Sequence, residues 1–320
     1  MTAPPASGIS LRRARADDLA ACADVWVAGL DGYGARVGRL PMAAPPGSLV
    51  PMLEHFRATD PDWFVVAERA GPAGDREVVA FASALRRTDV WFLAMLFVRP
   101  GEQSRGLGRG LLEAVLPPPG DPARRATCTD AAQPISNALY ARYGIVPRMP
   151  ILELVGRPDP SRLAPLPAGV RAVPFEVLAA GTVDGPGARH LAATIAALDV
   201  ATLGYAHPED HAMLAATGRL GYLYLGGDGR TVGYGYTSRV GRLGPVAVED
   251  EVLLPGVLGH LLGAVEPAGA FSGWVPGAAG RAVTALLDAG LLLEDFPALL
   301  CWDRPFGDFS RYVPITLAVP

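Results

Sequence analysis

The stretch LFVRPGEQSRGLGRGLLEAV, residues 96–115, decides how this chain is read. Its first three residues end an apolar run, Val90–Val98, that is hydrophobic on both faces, which predicts a strand lying centrally in a sheet. Gln103-Ser104-Arg105-Gly106-Leu107-Gly108 interrupts the run, and the apolar spacing that follows predicts a helix over 106–115. A strand that feeds a helix through such a turn forms an anion cradle. Helix N-termini expose unpaired N–H groups and the positive end of the dipole, so main chain alone can hold a pyrophosphate. Gly106 and Gly108 remove Cβ atoms where the ligand approaches. Arg105 and Arg109 add guanidinium donors suited to phosphate. A Rossmann fingerprint requires a third glycine where Leu111 stands. A P-loop requires a lysine, and all 28 basic residues of this chain are arginine.

Upstream, ISLRRAR (9–15) alternates as a strand, and Asp17 or Asp18 starts a helix running to about Ala28. A Gly- and Pro-rich loop is expected over 29–47, then a helix from Ser48 to Thr59 and strands at 63–68 and 77–87. Downstream come a strand at 126–130, a helix at 134–143 and a strand at 148–155. GRPDPSRLAPLPAG (156–169) holds four prolines without apolar periodicity and reads as a linker. The expected division is a domain over 1–156, a linker over 157–169 and a domain over 170–320.

The second half repeats the plan, with strands at 221–226, 231–240 and 244–248, a helix at 252–265, a strand at 270–275 and a helix at 278–289. Shifting 98–117 by 150 positions onto 248–267 matches seven of twenty residues, among them Val98/Val248, Gly106/Gly256 and Leu111/Leu261, in the same strand–turn–helix context. The second copy lacks the polar turn. Leu253, Pro255 and Leu258 stand where Gln103, Arg105 and Gly108 stand in the first.

At 320 residues, half of them hydrophobic, the chain is long enough for two cores. The net charge of −4 argues against a nucleic-acid binder. Residues 1–160 carry 18 arginines against 17 acids, and 161–320 carry 10 against 15, so an anion site belongs in the first half. Cys22, Cys128 and Cys301 are odd in number and far apart, which excludes a disulfide framework and suggests a reducing compartment. The N-terminus has no apolar run resembling a secretory signal, and no run is long enough to span a bilayer. The expectation is a cytoplasmic protein with no membrane or nucleic-acid partner. No residue pattern assigns an oligomeric state.

The turn, taken with QPISNALYARYG (133–144), resembles the GNAT-type N-acetyltransferase superfamily. That family's signature, Gln/Arg-x-x-Gly-x-Gly/Ala after an apolar fourth strand, is matched by Gln103, Gly106 and Gly108. Its later segment, Asn-Pro-x-Ser-Asn-x-x-Tyr followed by Gly, is matched from Pro134 to Tyr140 and at Gly144, with Gln133 in place of the first Asn. The resemblance covers about residues 9–155, and 170–320 by fold pattern. It implies an α/β (mixed α+β) protein of two tandem acetyltransferase-like domains. Each would be a twisted, mixed but mostly antiparallel sheet flanked by helices, and the C-terminal copy would be degenerate.

The resemblance further implies an acetyl-coenzyme A site. The backbone of Leu96, Phe97 and Val98 would bind the pantetheine arm and polarise the thioester. Gln103, Ser104, Arg105, Gly106, Leu107, Gly108 and Arg109 would hold the pyrophosphate, with Gln133 and Asn137 contacting the cofactor. Tyr140 would protonate the departing thiolate, and Leu286 occupies its place in the second copy. The implied function is transfer of an acetyl group to an amine of a small molecule or a peptide N-terminus. Two features keep a second reading open, that of a non-catalytic acyl-coenzyme A sensor or scaffold. Gln133 replaces the family's usual Asn, and the strand carries no carboxylate, so a base would act through water from elsewhere, with Asp31, Glu54 and His55 as candidates around the acceptor side. Elsewhere, His207-Pro-Glu-Asp-His211 sets two histidines four residues apart, a spacing that suits a metal. Pro208, Glu209 and Asp210 equally mark a helix start, and that reading, without a metal, is preferred.

Overall fold

A computed structural model describes residues 8–41, 47–70, 76–103, 106–180 and 188–320. Two compact units result, Met1–Thr127 with Ala132–Ile145, and Cys128–Ala131 with Val146–Pro320.

The first unit contains β1 (Ile9–Arg13), α1 (Leu19–Arg36), α2 (Val50–Thr59), β2 (Phe64–Ala70), β3 (Arg76–Arg87), β4 (Val90–Val98), α3 (Leu107–Val115), the start of β5 (Arg124–Asp130) and α4 (Pro134–Ala141). Strands β1 to β4 pair antiparallel in chain order, and β5 joins β4 in parallel. Phe64, Phe81, Trp91 and Phe92 are wholly or almost wholly buried. Leu111, Leu112 and Val115 of α3 and Leu53 and Phe56 of α2 have no exposure. Burying side chains of this size stabilises by roughly 1.5–3 kcal/mol each, and that term holds the helices to the sheet.

Helix α1 runs eight residues beyond the helix expected from sequence, through Gly29, Gly32 and Gly34, where a loop was expected. Contact explains the difference. A Cβ at Gly29 would lie 3.0 Å from the Phe97 ring, and one at Gly32 would lie 2.8 Å from Pro100. These glycines let α1 press against the end of β4, and that packing overrides their weak helix propensity. Ser48 lies in the turn before α2, whose N-cap position is Leu49 without a side-chain cap.

The second unit contains β6 (Val146–Gly156), β7 (Arg171–Pro174), α5 (Phe175–Ala179), α6 (Ala188–Leu203), α7 (Pro208–Ala216), β8 (Leu220–Leu225), β9 (Thr231–Thr237), β10 (Val246–Val248), α8 (Leu254–Gly263), β11 (Phe271–Pro276), α9 (Gly280–Asp288), β12 (Leu292–Leu293), β13 (Ala298–Trp302) and β14 (Tyr312–Val313). One five-stranded sheet has the order β14-β10-β9-β8-β7, and its pairs are antiparallel. Strand β6, which sequence places at the end of the first half, pairs antiparallel with β13 and with β11. Its alternation marks it as a strand, but its sheet is set by partners more than 110 residues away.

The proline-rich segment after β6 is packed rather than free. Leu163 and Leu166 lie against the core built by α8, α9 and β11. A Cβ at Gly256 would come within 2.7 Å of the Pro165 carbonyl oxygen, and one at Gly259 within 2.2 Å of that of Ala164. Both obstacles are main chain and cannot rotate away. Gly259→Ala is therefore expected to destabilise by about 1–3 kcal/mol despite its better helix propensity, read as a fall in the urea midpoint at unchanged slope. An unchanged or raised midpoint would show that this segment is not held against α8. Cys22 and Cys301 are free and buried, and burial pushes each thiol up to about 12, so neither is poised as a nucleophile. No helix among the described residues is long and apolar enough to cross a membrane.

Candidate active site

The site is assembled around an irregularity in β4. Ser83 of β3 pairs with Met95 and Ala84 with Leu93, so Ala94 is an extra, bulged residue. The parallel pairing with β5 covers only Val90–Leu93 against Arg124–Thr127 and stops at that bulge. A bulge bends its strand and ends local pairing. Beyond it, among the described residues, β4 has β3 on one side and no strand pairing on the other over Leu96, Phe97 and Val98. Main-chain donors and acceptors on that side suit an extended amide-bearing ligand.

Side chains alternate at this strand end. Phe97 stacks on Phe81 with ring centroids 5.8 Å apart and faces Gly29 of α1. Leu96 and Val98 face the other way, where a Cβ at Gly108 would lie 3.6 Å and 3.8 Å from them and 4.0 Å from Leu139 of α4. Gly108 thus gathers the strand end, the start of α3 and the middle of α4 into one contact. Gln103 buttresses the approach, its amide donating to the Val98 carbonyl at 3.2 Å. Glu102, buried beside it, pairs with Arg69 and anchors the same loop, a contact the sequence does not signal.

Gly106 is the N-cap of α3 with φ +75° and ψ 1°, the left-handed region that most side chains avoid. Among the described residues nothing lies within 4 Å of where its Cβ would be, so the glycine serves backbone conformation and not close packing. Its carbonyl accepts from Gly110 N at 3.0 Å. The preceding N–H groups of α3, from Leu107 to Arg109, have no acceptor within the helix and form its positive end. Ser104 and Arg105 lie outside the described residues. Arg109 is 59% exposed and pairs with Glu113 at 2.9 Å, one turn on. The Tyr143 hydroxyl donates to the same Glu113 oxygen at 2.7 Å. Tyr143 and then Arg109 hold the Glu113 carboxyl below its usual range.

Helix α4 begins with Pro134 at its first position, behind Gln133. The Gln133 carbonyl accepts from the Asn137 side-chain amide at 2.9 Å and from Asn137 N at 3.2 Å. At the other end Gly144, with φ +78°, reverses the chain so that Ile145 N donates to the Tyr140 carbonyl at 3.1 Å. This closure fixes the backbone of Tyr140, which is 4% exposed. Of the candidate bases, Glu54 is tied to Arg57 at 2.7 Å, and that hydrogen bond holds its carboxyl low.

In the second unit the corresponding turn is filled. Asp250 caps the approach to α8 by accepting from Val252 N at 3.0 Å, and residues 164–167 of the chain lie against Gly256 and Gly259. Leu286, opposite Tyr140 in the repeat, is buried in the apolar core. A cleft of about 330 Å³ remains nearby, lined by Arg162, Pro255, Gly280 and Arg281 among others.

The sequence model of the Acetyltransferase (GNAT) family matches residues 38–145. No curated protein matches the chain. Among solved structures, a candidate acetyltransferase from Pyrococcus horikoshii superposes with a TM-score of 0.73 at 14% identity, covering 100% of this chain and 99% of that one. A GCN5-related N-acetyltransferase from Sphaerobacter thermophilus gives 0.61 at 20% identity, covering 96% and 100%. A tandem GNAT protein from the clavulanic acid biosynthesis pathway gives 0.57 at 17%, covering 93% and 99%. At these identities the likeness is one of fold.

Proposed function

We propose that this chain, a GNAT-type acetyltransferase by its 38–145 domain and tandem in fold, transfers the acetyl group of acetyl-coenzyme A to the amine of a small molecule or a peptide N-terminus. The observation that carries this reading is the turn at Gly106–Gly108, clear among the described residues, next to the end of β4 that pairs with no second described strand, whereas residues 164–167 fill the counterpart turn of the second unit. It supports a single acyl-donor site per chain, in the N-terminal domain (1–156).

Acetyl-coenzyme A supplies a thioester carbonyl open to attack by an amine. The N–H groups opening α3 hold its diphosphate, with Ser104, Arg105 and Arg109 as side-chain donors. Main chain at Leu96–Val98 binds the pantetheine amides and polarises the carbonyl, Gln103 shapes the loop, and Gln133 and Asn137 orient the arm from α4. Tyr140 donates its hydroxyl proton to the sulfur as the C–S bond breaks. Such a donor is needed because a thiolate with a conjugate-acid pKa of about 8.5 leaves poorly unprotonated near pH 7. The acceptor must arrive neutral, which an α-amine of pKa about 8 does far more readily than a lysine-like amine near 10.

One observation favours the sensor or scaffold reading. The strand has no carboxylate, and Glu54, one of the three candidate bases, is paired with Arg57. Thiol release from acetyl-coenzyme A across a panel of amines separates the two. Amine-dependent release is expected, with calorimetry giving one coenzyme A per chain. Stoichiometric binding without release under any amine would leave the protein a binder.

A further inference from the structure

We propose that the second unit holds a divalent transition-metal ion, ligated by Asp199, His207 and His211, that ties α6 and α7 to β9. Asp199 lies on α6, His207 is the N-cap of α7, and His211 sits one turn into α7. One donor atom from each of the three lies within 4.8 Å of the other two. The Asp199 carboxylate places Oδ1 at 3.4 Å from His207 Nε2 and Oδ2 at 3.0 Å from His211 Nε2. Donors bound tetrahedrally at about 2.0–2.1 Å are themselves about 3.3 Å apart, so the two carboxylate–imidazole distances match ligand spacing and the third donor needs only a small shift to join them.

Two further observations point to an ion. His207 has no exposed surface, and its ring nitrogens lie 3.4 Å from carboxylate oxygens of Asp199 and Asp210 without reaching hydrogen-bond geometry with any group. Poorly aligned buried polar atoms are costly, and a metal on Nε2 would give that nitrogen the directed partner it lacks. Each proposed ligand also has an outer partner on the atom facing away from its neighbours or on its carboxylate. His207 Nδ1 faces Asp210 Oδ2 at 3.4 Å, and His211 Nδ1 meets the Tyr236 hydroxyl at 2.9 Å. The Tyr234 hydroxyl donates to Asp199 Oδ1 at 2.5 Å. Metal-bound histidines are oriented by just such carboxylates and hydroxyls. With nitrogen and carboxylate donors and no thiolate, the set suits zinc or a neighbouring first-row ion over calcium or magnesium. Asp199 and His207 are wholly buried and His211 is 11% exposed. That burial favours a role in holding α6 and α7 together over one in catalysis.

The test uses the full chain without a polyhistidine tag, stripped with chelator and dialysed against Zn²⁺ or Co²⁺. One ion per chain is expected, with visible d–d absorption from the Co²⁺ form and a higher melting temperature on adding Zn²⁺. His211→Gln should abolish stoichiometric binding. Tyr236→Phe keeps all three ligands and should weaken affinity about 10–100-fold while the chain stays folded by circular dichroism. A folded wild-type chain that takes up no stoichiometric ion would overturn the proposal, leaving His207 as an imidazolium between two carboxylates. Stoichiometric binding that survives in His211→Gln would overturn it equally, since the ion would then lie elsewhere.

Discussion

Tyr140→Phe is expected to lower kcat by about 10²–10⁴-fold, the usual contribution of a general acid, while acetyl-coenzyme A binds nearly as tightly as before. Proton donation to sulfur develops only as the C–S bond breaks, so the loss falls on kcat more than on the donor's KM. The ring is 4% exposed and is replaced by one of the same shape. Losing a buried hydroxyl costs about 0.5–1.5 kcal/mol, so a melting temperature within a few degrees of wild type is the companion measurement. The Schellman-type closure at Gly144 holds the Tyr140 backbone independently of its hydroxyl, so the variant changes chemistry without moving α4. Full activity in Tyr140→Phe, with a good amine and a rate-limiting chemical step, would mean that water or another group protonates the thiolate.

The strand–turn–helix unit was legible because its determinants are local. Leu107, Leu111, Leu112 and Val115 recur at helical spacing and all become buried, and Gly106 adopts the left-handed conformation that its place before them suggests. Helix α4 was legible for the same reason, with Pro134 opening it and Gly144 closing it. What failed was non-local. Gly29 and Gly32 look like loop residues until Phe97 and Pro100 are placed against them. Residues 156–169 look like a tether until two helix glycines are found that admit their backbone. Strand β6 is plain as a strand, yet its neighbours Trp274 and Leu300 lie far along the chain. The spacing of His207 and His211 was visible, but Asp199 belongs to a helix whose approach no periodicity announces.

The two units differ in the way their equivalent turns treat space, and the proposal of a single acyl-donor site rests on this difference. At Gly106 a Cβ would meet nothing among the described residues, whereas at Gly256 it would strike the chain's own backbone. The repeat matches these two glycines, yet they do different work. The first permits a left-handed backbone conformation, and the second permits close packing of residues 164–167 against α8.

The open turn yields a prediction in which charge is separated from shape. Gly106→Asn and Gly106→Asp place side chains of nearly equal size at φ +75°, a region both residues tolerate better than most. With no described atom within 4 Å of the new Cβ, both variants should fold, each losing about 1–2 kcal/mol at most from the left-handed backbone. The Asp carboxylate would then sit where the diphosphate is proposed to bind. One like-charge pair at about 5 Å costs about 0.8 kcal/mol at the dielectric of water and about 3 kcal/mol at an effective value of 20. Coenzyme A should therefore bind Gly106→Asp more weakly than Gly106→Asn by about fourfold to a few hundredfold in calorimetry at low ionic strength. Since the repulsion is electrostatic and close to solvent, the gap between the two should narrow as salt is raised toward 1 M. Equal affinities at low salt would mean that no phosphate approaches this turn, and the acyl-donor site would have to be sought elsewhere in the fold.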